Sequence, residues 1–297
     1  MDGSNAAKMT IPIFVGTILN WTLLGILALQ ICVYFYTFRK DHIACKLLVV
    51  LVSVAEILQT TSATRDATRI FGTQWGNPAS LDEVGFAWFT TPVTGGIVAC
   101  AGQLFFAWRI YAISRSIGMP LVITVITLFQ SAMGLWAGVS IAQAQHFSAL
   151  QFQYFKIPTA WLSAAAAADL LIVASTCFYL LRSRVGINRS LDAIVVGIIK
   201  ITVETGLICA IFALADLFVF VAYPRSNLHL AICIALSKIY SNSILLILNS
   251  RATISYVPIR ELELEASTMA DMRFGTDSTS TAQDGEKGAR PTSISTV

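Results

Sequence analysis

The chain has 297 residues, of which 56% are hydrophobic and only 12% charged, with a formal net charge of +3 at pH 7. Soluble domains carry roughly 25% charged residues, so this composition excludes an ordinary water-soluble core and points to a membrane protein. The small positive excess, with no basic patch interleaved with aromatic residues, excludes a nucleic-acid surface.

In chain order, residues 1–11 are polar and lack a basic stretch followed by a small-residue cleavage site. They are expected to form a short extracellular N-terminus, with the first helix as the targeting signal. Seven apolar runs follow, at about 12–38, 46–64, 86–108, 118–142, 159–181, 194–222 and 228–249. Each is near the ~20 residues that a helix needs to cross hydrocarbon, so the expected fold is an all-α bundle of seven transmembrane helices spanning 12–254. Trp88, Trp108 and Trp161 fall at predicted helix ends, where amphipathic rings favour the interface.

The loop charges set an orientation. Arg39, Lys40, Lys46, Arg109, Arg115, Arg182, Arg184, Arg189, Arg251 and Arg260 fall on one side of the predicted bundle. They outnumber Lys8, Arg65, Arg69, Lys156 and Arg225 on the other. Positive charge stays in the cytoplasm, which places the N-terminus outside and the C-terminus inside. The connections 65–85 and 143–158 then face outward and are expected either to cap a pocket or simply to join helices. Asn20 and Asn188 head glycosylation sequons, but one falls within a helix and the other inside, so both are expected to stay unmodified. Residues 255–297, rich in Ser and Thr, are expected to be a mostly disordered cytoplasmic tail open to phosphorylation.

Six cysteines (Cys32, Cys45, Cys100, Cys177, Cys209 and Cys233) show no C-x-x-C spacing and no outer pair, so no disulfide is expected. His42, His146 and His229 are scattered, and there is no P-loop, G-x-S-x-G or H-E-x-x-H. Neither a metal, a cofactor nor an enzymatic activity is expected.

Charges inside the membrane are the informative feature. Lys238 sits in the middle of the last apolar run, where a lysine costs at least ~3 kcal/mol unless it turns inward to a partner. Lys238, Asn242, Leu245 and Asn249 recur at helical spacing as one stripe, and Ser53, Glu56, Thr60 and Thr64 form another on the second helix. Glu56, Asp169 and Lys238 all lie ~15 Å from a predicted helix start, at 1.5 Å per residue, and so share the midplane. Lys238 is expected to pair with Glu56 or Asp216. Glu56, Gln103, Asp169, Asp216, Lys238 and Asn242 are the binding or gating candidates. Lys200 and Glu204, spaced i, i+4, read as a structural pair, and Asn249 as a structural polar residue. Arg109, at the end of the third helix, reads as an interfacial anchor.

Several stretches carry a resemblance. They are Gln30-x-x-x-Tyr34 with Lys40-Asp41 and Lys46, then Gln103-x-Phe105-Phe106-x-x-Arg109-Ile110-Tyr111, then Ala168-Asp169-Leu170. Leu181-Arg182-Ser183-Arg184 running into Gly186 and Thr205-Gly206-Leu207 follow, and the most specific run extends from Lys238-Ile-Tyr240-Ser-Asn242-Ser243 to Leu248-Asn249-Ser-Arg251. Over about residues 12–254 the chain resembles a family of fungal, chiefly basidiomycete, seven-helix membrane proteins of unknown function. The resemblance implies the fold, membrane placement and a fungal source, and implies no ligand.

The leading functional expectation is a receptor-like sensor in the plasma membrane or an endomembrane. It would take a small apolar or amphipathic ligand and meet a cytoplasmic partner at the basic inner loops and tail. The alternatives are a transporter or proton-linked channel using Glu56, Asp169, Asp216 and Lys238, and a membrane scaffold without a ligand.

Overall fold

Hydrocarbon offers no hydrogen bonds, so a chain of apolar runs has to satisfy its backbone internally by crossing as helices. The computed structural model describes residues 3–77, 80, 83–144, 155–183, 189–223 and 228–252. Among these residues it is all-α, with seven helices long and apolar enough to cross a membrane. They are α1 (Gly3–Thr37), α2 (Ile43–Thr73), α3 (Phe89–Ser114), α4 (Gly118–Ala144), α5 (Lys156–Ser183), α6 (Arg189–Ala222) and α7 (Leu228–Ala252). The protein is therefore a multi-pass membrane protein. The predicted tail, Asn188, Arg184, Arg225 and the middle of the 143–158 connection lie outside the described residues, as do the side chains of Arg182 and Arg189.

Several helix starts or ends differ from the sequence reading, three of them for plain physical reasons. α1 begins at Gly3 rather than at 12, because polar residues and the strong helix formers Ala6, Ala7 and Lys8 extend it without needing to be apolar. α2 runs on past 64 and closes in a π-helical turn, Arg69–Thr73. Arg65, Asp66 and Arg69 thereby become helix residues rather than loop charges. α3 opens with a second π-helical segment, Phe89–Gly95, around Pro92. Proline has no N–H to return to the carbonyl four residues back, so the turn there is wide.

Sequence neighbours pack as spatial neighbours from α1 to α6, with α3 also against α5. α7 fills the middle. Of its apolar window 78% is buried, against 28–50% in the other six, so six helices face lipid on one side while α7 faces protein nearly all round. Large apolar side chains such as Leu29, Ile43 and Leu121 cover the outward faces. Asn242 Nδ2 donates to the Leu23 carbonyl at 3.2 Å and Asn249 Nδ2 to the Gln30 carbonyl at 2.9 Å, with the same sequence offset of 219. An unchanged offset two turns apart means that α1 and α7 run parallel in fixed register. Asn20 is fully enclosed on α1, its Oδ1 accepting from Thr60 Oγ1 on α2 at 3.5 Å.

Small residues let backbones approach at two crossings. A Cβ at Gly16 would stand 3.0 Å from the Ala231 Cα, where α1 meets α7. One at Gly138 on α4 would stand 3.1 Å from Val93 and 3.2 Å from the Trp88 carbonyl, against the π turn of α3. The Trp161 ring, near the start of α5, is buried against Gly134, whose missing side chain leaves it a slot. Trp108 is 59% exposed and faces outward.

At the end where α1 turns into α2, henceforth the basic end, Asp41 forms a clasp. It accepts from Tyr34 Oη at 2.8 Å, from the His42 backbone N–H at 2.8 Å and from the Arg251 guanidinium at the end of α7. The Arg251 hydrogen bond, aided by those of Tyr34 and His42, outweighs burial and holds the carboxyl at about 2. A depressed carboxylate contributes its stability above the ordinary range and loses it only as pH falls through the lowered value, so the clasp is closed at any physiological pH.

Gly16→Val is expected to lower stability by about 1–3 kcal/mol through overpacking against Ala231. Gly25→Ala, where nothing lies within 4 Å, is expected to leave it unchanged or slightly raised. Thermal unfolding in detergent distinguishes them, and equal effects would remove the close α1–α7 approach.

Candidate functional site

The helical periodicity that put Lys238 on a polar stripe brings its ammonium to α2, where both residues of the pair are fully buried. Lys238 Nζ forms an ion pair with Glu56 Oε2, and donates to the Glu56 carbonyl at 3.3 Å and to Gln59 Oε1 at 2.7 Å. An ammonium has three donors, and all three are used. The other carboxylate oxygen, Oε1, accepts from Ser237 Oγ at 2.8 Å and from Ser241 Oγ. Of the two partners open to Lys238 in the sequence, the structure selects Glu56.

A second cluster lies on another face of α7. Asp169 of α5 accepts from Tyr240 Oη of α7 and from Gln103 Nε2 of α3 at 3.0 Å. No cation joins it among the described residues. Asp216 of α6 stands apart from both clusters. It is fully buried and interacts with the weakly donating thiol of Cys233, and neither oxygen receives an N–H or O–H hydrogen bond. Ser243 and Cys209 approach at 3.6 Å, giving α7 another contact with α6. Lys200 and Glu204 are exposed and 3.9 Å apart, an i, i+4 surface pair. Arg109, read as an interfacial anchor, is instead buried at 9% exposure, because α3 continues beyond it to Ser114.

The sequence reading missed Gln59, Ser237, Tyr240 and Ser241. Gln59 lies three residues from Glu56, and the serines flank Lys238 at i−1 and i+3, so helical spacing alone would have found them once Glu56 and Lys238 were paired.

Two clefts open at the end of the bundle opposite the clasp. One, of about 490 Å³ including its mouth, lies among α1, the end of α2, the start of α3 and α7, with Thr17, Ile70, Val84, Thr90 and Ile234 in its walls. Its rim charges are used: Arg69 pairs with Glu83, and Asp66 accepts from the Phe86 backbone N–H at 2.8 Å. The other, of about 450 Å³ including its mouth, is lined by Trp161, Phe220, His229 and Cys233. Ala87, Thr91 and Leu230 border both. Thr91 is 7% exposed, and its hydroxyl has no hydrogen-bond partner. Both π-helical segments contribute to the first cleft, and π turns recur where a helix is reshaped around a site.

The first cleft and the ion pair are joined. Gln59 Nε2 donates to the carbonyl of Thr90, a wall residue, at 3.2 Å while its Oε1 accepts from Lys238. No group of three or more His, Cys, Asp or Glu among the described residues is placed to hold a metal.

Residues 165–253, from within α5 through α7, match a family described as a family of unknown function, DUF6534. No curated protein and no solved structure matches the chain. The matched stretch contains Asp169, Asp216, Lys238 and Tyr240, and ends just after the clasp residue Arg251.

Glu56→Gln or Lys238→Met alone is expected to cost about 3–5 kcal/mol, since each strands a buried charge. The double variant is expected to recover much of that loss, giving a coupling well above 1 kcal/mol in a double-mutant cycle of unfolding free energies. Additive losses would mean that the two side chains do not form a pair.

Proposed function

We propose that the protein is a membrane sensor of a small apolar or amphipathic molecule, bound at the clefts opposite the basic end. The observation that carries this reading is the connection from Thr90 through Gln59 to Lys238 and Glu56. An occupant that shifts the π turn of α3 displaces an acceptor of Gln59, and Gln59 in turn is a ligand of the buried ammonium. The clefts are mainly apolar in their walls, Arg69 pairs with Glu83 at the rim, and the Thr91 hydroxyl and Arg69 Nε are polar groups left for a ligand to engage. The loop charges support an orientation with the clefts outside and the basic end in the cytoplasm. There the basic loops and tail would report to an internal partner.

The test is thermal unfolding of the purified protein against a library of apolar and amphipathic metabolites. A ligand specific to the folded state stabilises by about 2.7 kcal/mol at a hundredfold excess over its Kd. A saturable rise in Tm that Thr91→Val weakens is the expected result. Silence across a broad library, from a protein that unfolds cooperatively, would sink the sensor and leave a scaffold or an ion path.

Asp216 favours a second reading, a proton-linked carrier, because a buried carboxylate without a cation or an N–H or O–H donor is an expensive thing to keep in a membrane. Proton flux in liposomes that disappears in Asp216→Asn would establish it. Impermeable liposomes, or flux unchanged by that substitution, would dismiss it.

A further inference from the structure

The first cleft contains donors that its own walls leave unused. Arg69, on the π turn that closes α2, lines it and spends two of its three nitrogens on Glu83. Nη1 pairs with the carboxylate, and Nη2 donates to the Glu83 backbone carbonyl at 3.1 Å. The third nitrogen, Nε, is buried without a hydrogen-bond partner. Thr91, on the π segment that opens α3, lines the same cleft, and its buried hydroxyl has no partner either. The other two threonines in the walls differ. Thr17 and Thr90 return their hydroxyls to the Ile13 and Ala87 carbonyls of their own helices, at 2.8 and 3.4 Å. Both open donors thus stand on π-helical turns, the irregular backbone that recurs at functional sites.

A buried donor without an acceptor is costly, and a ligand relieves it by bringing oxygen lone pairs. The charges in the walls decide which kind of oxygen. A carboxylate would enter beside Asp66 and Glu83, two like charges that line the cleft. An ammonium group carries donors only and leaves Arg69 Nε unanswered. A pure hydrocarbon answers neither donor. A neutral carbonyl oxygen adds no charge and has two lone pairs to offer. The rest of the wall, with Ile13, Ile70, Val84, Leu230 and Ile234, suits an alkyl body.

We propose that the first cleft binds a neutral amphipathic carbonyl compound, a ketone, ester or lactone with an alkyl chain, whose oxygen takes up the open donors of Arg69 and Thr91. Arg69 assigns it to this cleft, because the second cleft shares Thr91 but not Arg69. The inference rests on the sensor reading and adds a head-group requirement that the reading itself does not make.

The experiment follows thermal unfolding of the full chain in nanodiscs against a matched nine-carbon series: nonane, 2-nonanone, methyl octanoate, nonanoate and nonylamine, at equal concentration in the membrane. A saturable rise in Tm is expected with 2-nonanone and methyl octanoate. The other three are expected to need about tenfold more, the worth of one hydrogen bond. Arg69→Lys keeps a positive charge opposite Glu83 but has no Nε–H, and is expected to weaken the response to both carbonyl compounds about tenfold. Thr91→Val, of nearly the same shape, is expected to act in the same direction and serves where Arg69→Lys does not fold. If nonane, nonanoate or nonylamine protects as well as the carbonyl compounds, the sensor stands and this ligand class falls. The class falls equally if the variant that folds responds like the parent, or if the carbonyl compounds are silent while another member of the broad library protects. Silence from the library as well removes the sensor, and this inference with it.

Discussion

A lysine at the middle of a bilayer has to be met by protein on every donor, and meeting Lys238 fixes where the other helices stand. Its three donors go to one residue pair on α2, Glu56 and Gln59, and the carboxylate they surround takes two hydroxyls from α7 in return. The exchange is reciprocal: α7 brings the cation and two serines, and α2 brings the anion and an amide. Such a set is satisfied only at one relative height and rotation of the two helices. Buried ion pairs are poor sources of net stability but effective in excluding other registers. That exclusion helps to select a single packing of α7 against α2.

The same logic continues round α7. Asn242 and Asn249 hold α1, Lys238 holds α2, Tyr240 holds α5 through Asp169, and Cys233 and Ser243 meet α6. A helix that presents polar groups to several neighbours cannot also face lipid, which is consistent with α7 having the largest buried share of the seven. Because the surrounding solvent is hydrocarbon, apolar side chains can face either way, while amides, hydroxyls and charges belong inside.

Much of this was legible in the sequence, since the signals involved are local. Apolar runs of spanning length give seven helices, and a charge in the middle of one gives a buried partner. What remained open was which of two acids Lys238 meets, because Glu56 shares its depth and Asp216, somewhat nearer the outer face, is still within reach of a flexible lysine stem. The choice depends on which helices are adjacent, a property of packing rather than of any one run. Arg109 was misread for a related reason. A basic residue near the end of an apolar run looks like an anchor, but α3 continues to Ser114, and its last turns carry the guanidinium into the bundle. The burial of Trp161 was not legible because its slot is made by Gly134 on another helix. The π turn at Phe89–Gly95 had a visible cause in Pro92, whereas its position beside a cleft did not.

The clefts, the buried ion pair and the clasp lie along one helix, α7. Leu230 and Ile234 of α7 border the clefts, Lys238 lies one turn further along, and Arg251 closes the clasp at the far end. From Ile234 to Arg251 is roughly 26 Å of helix at 1.5 Å per residue. Sharp helix kinks come from proline, glycine pairs or inserted groups, and between Leu228 and Ala252 there is neither a proline nor a glycine. A displacement of α7 at the clefts therefore has nowhere to be absorbed within the helix. It has to appear as a change at the Lys238–Glu56 pair, at the Asp41–Arg251 clasp, or at both. Of these the pair is enclosed by three further hydrogen bonds, one that the ammonium donates to Gln59 and two that the carboxylate accepts from Ser237 and Ser241, whereas the clasp sits at the end of the bundle with the Arg251 side chain one-third exposed. By enclosure, the clasp is the looser of the two contacts, and a displacement of α7 has most room to appear there.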